Sequence, residues 1–211
     1  MMFERILAIG AHFDDIEIGV GGSLRKFVNR GKHVYGLVLT DSAYDTFNGV
    51  QVRSEATALK EGQDAAKIIG YKLITFDYKA KELPFNVELI EKLNKIIEDY
   101  NIDTIFTHWP YDIHQDHIAA SRATLTAGRH VKNILFYRSN WYDTDQTFNG
   151  KFSIDISEEI ETKKLAIKAH VNEYNKFGDG WLQFFISENK NIGKKYNLEY
   201  AEQFELVKCV L

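Results

Sequence analysis

Five short apolar runs, separated by four longer amphipathic stretches, constrain this chain more than any other feature of its sequence. The runs are residues 4–10, His33–Thr40, Lys72–Tyr78, 104–108 and Asn133–Arg138. Helical stretches lie between them at roughly 16–30, 52–69, 86–100 and 115–129. The third is the clearest, because Leu89, Ile90, Leu93, Ile96 and Ile97 form one apolar stripe. Gly31 and Gly70 stand where two of the helices should stop. Strands alternating with helices predict an α/β fold with a mainly parallel sheet. Right-handed crossovers then cover both faces with helices, which makes it doubly wound and Rossmann-like. The last third leaves this rhythm. Phe152–Ile156 alternates like a half-exposed strand, roughly 158–176 reads as a helix, and Tyr200–Val210 as a final strand. No linker interrupts the 211 residues, so a single domain over 1–211 with a modified C-terminal end is expected.

Composition excludes several classes of function. The net charge is −4 and no block of like charges occurs, which argues against nucleic acid as a partner. No apolar stretch approaches the roughly 20 residues needed to span a bilayer. The N-terminus lacks the apolar core of a signal peptide. A cytoplasmic protein is expected, and a homo-oligomer is compatible with this composition. The one cysteine, Cys209, leaves no internal disulfide and no cysteine-based zinc site.

Chemistry concentrates in two loops. In the commonest doubly wound order, 3-2-1-4-5, strands 1 and 4 are neighbours, and ligands bind at the crevice beyond their carboxyl ends. Ala11-His12-Phe13-Asp14-Asp15 follows the first strand, and His114-Gln115-Asp116-His117 follows the fourth. They lie 102 positions apart from Asp15 to His117, yet should converge in space. His12 and Asp15 are normal zinc ligands on one tight turn. Asp14 between them is placed to reach a metal-activated water as general base. The competing reading of Asp14 or Asp15 is a helix N-cap. Gly10-Ala11-His12 does not continue as a dinucleotide-binding glycine motif. His114 and His117 share a face of the first helical turn. One of them would bind metal and the other act in catalysis. Asp116 would hold a histidine in its tautomer. Asp112 would do the same or meet the substrate.

These two clusters resemble the paired signatures of the LmbE-like (PIG-L) family of zinc-dependent N-acetylglucosaminyl deacetylases, Ala-His-Pro-Asp-Asp and His-x-Asp-His. Weaker echoes are Leu39-Thr40, Arg129 before Ile134-Leu135-Phe136-Tyr137, Lys164 with Ala166 and His170, and Tyr200-Ala201-Glu202-Gln203-Phe204. The resemblance implies His12, Asp15 and His117 as metal ligands and Asp14 as base. It implies His114, in its protonated form, as the group assisting at the carbonyl oxygen or leaving amine, with Asp116 supporting it. Zinc (Zn2+) is the implied metal, with iron(II) (Fe2+) a credible substitute. The implied substrate is a small-molecule N-acetylated sugar or sugar conjugate, cleaved to acetate and a free amine. Phe13 departs from the family's proline, and Asp41-Ser42-Ala43 from a Gly-Glu pair. Arg53 matches the family's substrate-contacting loop arginine or is a plain helix-surface residue. Trp109, Tyr111, Trp141 and Trp181 either stack on sugar rings or pack internally. Two other functions fit the same residues: a non-catalytic sugar or nucleotide-sugar binding protein, and a metal hydrolase of a different amide or ester.

Overall fold

The computed structural model describes residues 3–210. Its main sheet has seven strands. β1 (Arg5–Gly10) lies between β2 (His33–Thr40) and β6 (Thr104–His108). β5 (Lys72–Tyr78) continues the sheet beyond β2, and β7 (Asn133–Tyr137) continues it beyond β6. All of these pairs are parallel, and Ile6 faces Val34 on one side and Thr104 on the other. Taken in chain order, the five parallel strands run 3-2-1-4-5, the order that places a crevice between β1 and β6.

The reason for this arrangement is visible along β1. Ile6 and Ala8 enter one core, with α1 (Asp15–Asn29) and α2 (Glu55–Ile69), while Leu7 and Ile9 enter the other. That second core is closed by α3 (Val87–Asp99) and α4 (Gln115–Ala127). A strand buried on both faces reads as a continuous apolar run, as Ile6-Leu7-Ala8-Ile9 does here. Burying each such side chain contributes roughly 1.5–3 kcal/mol. Among the described residues, no helix is long and apolar enough to cross a membrane.

The departures from expectation are local. The polar segment after β2 carries a two-stranded antiparallel ribbon, β3 (Tyr44–Asp45) and β4 (Gln51–Arg53), so α2 starts later than the apolar spacing suggests. Ser54 caps α2 by accepting from the Thr57 N–H. The helix expected over 158–176 is two helices, α5 (Ile160–Lys168) and α6 (Val171–Phe177). The break falls at His170, whose ψ of 68° is not helical and whose buried ring bonds Glu17 at 3.0 Å. A further helix, α7 (Asp179–Lys194), was not anticipated. It covers a third apolar cluster with Trp181, Leu182, Phe185 and Ile186. The modified end is an antiparallel extension of the sheet: β9 (Ala201–Lys208) pairs with β7, and β8 (Phe152–Asp155) with β9.

Candidate active site

β1 ends at Gly10, and the chain turns at once into α1. Asp14 takes the turn with φ of 119°, a conformation that costs a non-glycine residue roughly 1–3 kcal/mol and is concentrated at functional sites. Although Asp14 occupies the N-cap position, its side chain makes no capping hydrogen bond. Capping is therefore not its role. Asp15 is the first residue of α1, and its carboxylate accepts from the His12 backbone N–H at 2.7 Å.

Phe13 and Ser42, the two departures from the resembled signatures, account for each other. The Phe13 backbone N–H donates to Ser42 Oγ at 2.9 Å, a bond that proline could not make. The Phe13 ring is buried against Gly62 of α2, where a Cβ would come within 2.1 Å of it.

From the other side of the crevice come the residues after β6. His114 is the N-cap of α4, and its Nδ1 accepts from the Asp116 backbone N–H at 3.2 Å. Its neutral tautomer therefore carries the proton on Nε2. Burial, with His12 and His117 nearby, lowers its pKa to about 4. This differs from the protonated His114 that the family resemblance implies. His117 donates from Nδ1 to Asp112 Oδ2 at 3.0 Å, and its Nε2 lies 3.3 Å from Asp15 Oδ1. His12 donates from Nε2 to Asp116 Oδ2 at 2.9 Å, and its Nδ1 lies 3.5 Å from Asp15 Oδ2. The His12 and His117 rings are thus each held by a carboxylate on one side, with the other nitrogen on the Asp15 side.

The charges follow from this packing. Burial opposes the charged form of both rings. Hydrogen bonds to Asp116 and Asp15 nevertheless raise His12 to about 9, and Asp15 with Asp112 raises His117 to about 10. Asp15 is held well below the usual carboxylate range, since His117 and His108 outweigh its burial. Asp14 moves the other way, to about 7, because it is buried and sits beside the negative Asp15. Two neighbouring carboxylates pushed apart in this way are a common mark of acid–base chemistry.

The donor set suits a divalent cation. One ligand atom each from His12, His114 and His117 lies within 4.8 Å of the others, and so does one each from Asp15, His108 and His117. His108 is the weaker candidate. Its Nε2 already accepts from the Ala11 N–H at 2.9 Å, and its Nδ1 has no partner among the described residues. The set expected from the sequence, His12, Asp15 and His117, is split between these groups: His117 belongs to both, His12 to the first and Asp15 to the second.

A cavity of about 300 Å³ opens over these groups and is lined by His12, Asp14, Asp15, His114 and His117, with Arg53 in the wall. Arg53 is buried and donates to Glu61 at 2.8 Å and to the Phe13 carbonyl at 3.4 Å, which excludes the helix-surface alternative. Asp112 and Asp116 do not line the cavity. Asp112 accepts from His117, Asn140 (2.6 Å), Tyr142 (3.2 Å) and the His114 N–H (2.9 Å), so it is a holder of His117 and no substrate contact. Asp116 holds His12, and its carboxylate also accepts from the Lys81 and Leu83 N–H groups. The expected carboxylate bond to His114 is absent; only the Asp116 backbone reaches that ring. Sequence reasoning missed His108, Ser139 and Asn140. Ser139 donates to Asp15 at 2.8 Å. The signal for these three was topological, since all follow or end strands at the same sheet edge. Trp109 is a packing residue whose Nε1 donates to Glu205 at 3.0 Å.

Comparison with known proteins agrees with this geometry. Residues 7–128 match the family described as GlcNAc-PI de-N-acetylase. The chain is 34% identical, over 78% of its length and 89% of the relative's, to a protein of Escherichia coli (strain K12) named "Uncharacterized deacetylase YaiS". It is 27% identical, over 97% of its length and 83% of the relative's, to the diacetylchitobiose deacetylase of Thermococcus kodakarensis. The crystal structure of the conserved protein TT1542 from Thermus thermophilus has the same fold, with a TM-score of 0.84 at 22% identity, covering 100% of this chain and 97% of that one. With paired signatures facing each other across one crevice, this chain belongs to the GlcNAc-PI de-N-acetylase family, the PIG-L or LmbE-like proteins.

Proposed function

We propose that this protein is a metal-dependent N-deacetylase, acting on the acetamide of an amino sugar or sugar conjugate. The observation that carries the reading is that Asp14, free of any capping bond, opens into the same cavity as the His12, Asp15 and His117 donor set. His12, Asp15 and His117 would hold the cation, zinc or iron(II). When bound, it supplies Lewis-acid polarisation and a more acidic water.

The remaining work falls to the chain. Asp14 accepts the proton of the water that attacks the acetyl carbon. His114 offers its Nε2–H to the oxygen on which negative charge develops. The carbon–nitrogen bond then breaks, and the proton held by Asp14 passes to the departing amine. One water is consumed, and acetate and a primary amine are formed. Asp112 and Asp116 keep His117 and His12 in the ligating tautomers throughout. Arg53, anchored by Glu61, presents its guanidinium edge to the substrate.

The test is product analysis on metal-loaded protein, with N-acetylglucosamine, its β-1,4-linked disaccharide and a nucleotide sugar as substrates. Equimolar acetate and primary amine are expected from at least one of them. Saturable binding without acetate would make the protein a sugar-binding module. Hydrolysis confined to simple esters or unrelated amides would also overturn the reading.

A further inference from the structure

A second cavity, of about 280 Å³, shares a wall with the first, since Ile18 of α1 lines both. The rest of its wall comes from α7, from β9 and from the segment after β7, and the chemistry above uses none of those side chains. Several of them are left with bonds unmade. Asn189 is only 8% exposed, yet its Oδ1 has no hydrogen-bond partner among the described residues. Buried polar groups are almost always paired, so a bare amide in a cavity wall points to a ligand. Glu188, its neighbour on α7, is half-buried and makes no hydrogen bond or ion pair among the described residues. Burial pushes its carboxyl up, although the charges of Arg138 and Lys163 pull the other way. Arg138 is half-buried too. It donates from Nε to Asn140 at 3.3 Å, and its Cζ lies 5.9 Å from the Phe148 ring centroid, but it pairs with no carboxylate.

The cavity therefore presents a half-buried carboxylate, a half-buried guanidinium not paired with it, and an amide oxygen free to accept. Beside them is apolar surface from Ile18, Phe148 and Phe185. Half-buried charges call for a counter-charge. An inorganic anion would pair with Arg138 and be repelled by Glu188. A simple amine would do the reverse. A neutral sugar supplies hydroxyls but answers neither charge. A zwitterion with an apolar body answers the whole set. Its carboxylate meets Arg138, and its ammonium meets Glu188 and Asn189 Oδ1, in charge-assisted bonds. Its side chain lies against Ile18 and the rings. Lys195 also lines the cavity, but it is exposed, where water and salt screen its charge. A volume of about 280 Å³ is just below the usual range for ligand sites, which suits one small molecule and not a peptide.

We propose that this second cavity, built around Arg138, Glu188 and Asn189, binds a free α-amino acid with an apolar side chain. The site is separate from the site of hydrolysis and does not depend on the deacetylase reading.

The experiment titrates the zinc-loaded full chain with L-leucine and L-phenylalanine by calorimetry. Beside them run the corresponding acids without the amine and the corresponding amines without the carboxylate. Saturable binding of at least one amino acid is expected, with both of its truncated forms weaker by about tenfold or more. Glu188→Gln should weaken the amino acid by about the same factor. Asn189→Leu, which fills the cavity, should abolish binding. H117A, which removes a ligand of the active-site metal, should bind as the wild type does. Binding lost in H117A but kept in E188Q would place the amino acid on the metal and overturn the proposal. So would no binding of either amino acid, or truncated forms that bind as tightly as the parent. Because those forms remove each charge from the ligand, the wild-type titrations decide the matter even where a variant fails to fold.

Discussion

Asp14→Asn is expected to lower deacetylation by about 10²- to 10⁴-fold, the range for a positioned acid–base group, while leaving the metal in place. The amide keeps the size of the carboxylate but cannot take the water's proton. Asp14 contributes no atom to either candidate ligand group, and its side chain caps no helix. Neither metal content nor thermal stability should therefore change much. Asp15→Asn makes the contrast. That residue accepts from His12 N and Ser139 Oγ and lies within 3.5 Å of nitrogens on three histidines, so its loss should deplete the metal. Metal analysis beside turnover separates the two. A D14N protein that loses metal while D15N keeps it would reverse their roles.

Lys163→Met should have the largest effect on stability. The Lys163 side chain is fully buried, and its Nζ donates to the Ile18 carbonyl at 2.7 Å and to Glu202 at 2.6 Å. Glu202 also accepts from the Gly22 and Ser23 N–H groups at 2.9 and 2.8 Å. One ion pair thus ties α5 and β9 to the helix that begins at Asp15. Removing the lysine leaves a buried carboxylate without its counter-charge, which costs about 3–5 kcal/mol. For a chain of this size that is a fall of roughly 6–20 °C in Tm, at roughly 2–4 °C per kcal/mol. Urea unfolding checks it. A loss below about 1 kcal/mol would mean that the pair is solvated and contributes little. Replacing both partners with apolar residues should recover much of the loss.

How much of this was legible in the sequence depended on the range of the interactions involved. β1, β2, β6 and β7 declared themselves through apolar runs buried on both faces, and β5, at the sheet edge and only partly buried, through Leu73, Ile74 and Phe76. The two signature loops could then be joined, because strand order brings β1 beside β6. Interactions between distant residues were hidden. Asp116 lies two residues from His114, and the family resemblance implied that pair. Its carboxylate instead meets His12, 104 positions away. The buried Lys163 also went unnoticed. Lys164, singled out as a family echo, pairs with Glu161 nearer the surface, whereas Lys163 enters the core. α7 escaped notice because its polar stretch from Ser187 to Asn191 masks the spacing of Trp181, Leu182, Phe185 and Ile186, which are apolar at i, i+1, i+4 and i+5.

The central claim is that a cation held by His12, Asp15 and His117 is needed for amide hydrolysis. The most direct measurement strips the protein with a chelator, adds zinc back in steps and follows acetate release from an N-acetylated sugar. The account predicts that the rate falls to background on stripping. It should then rise in proportion to added zinc and level off at one equivalent per chain, with no recovery in H117A. A stripped protein that retains its full rate, or an H117A variant restored by the same titration, would contradict it.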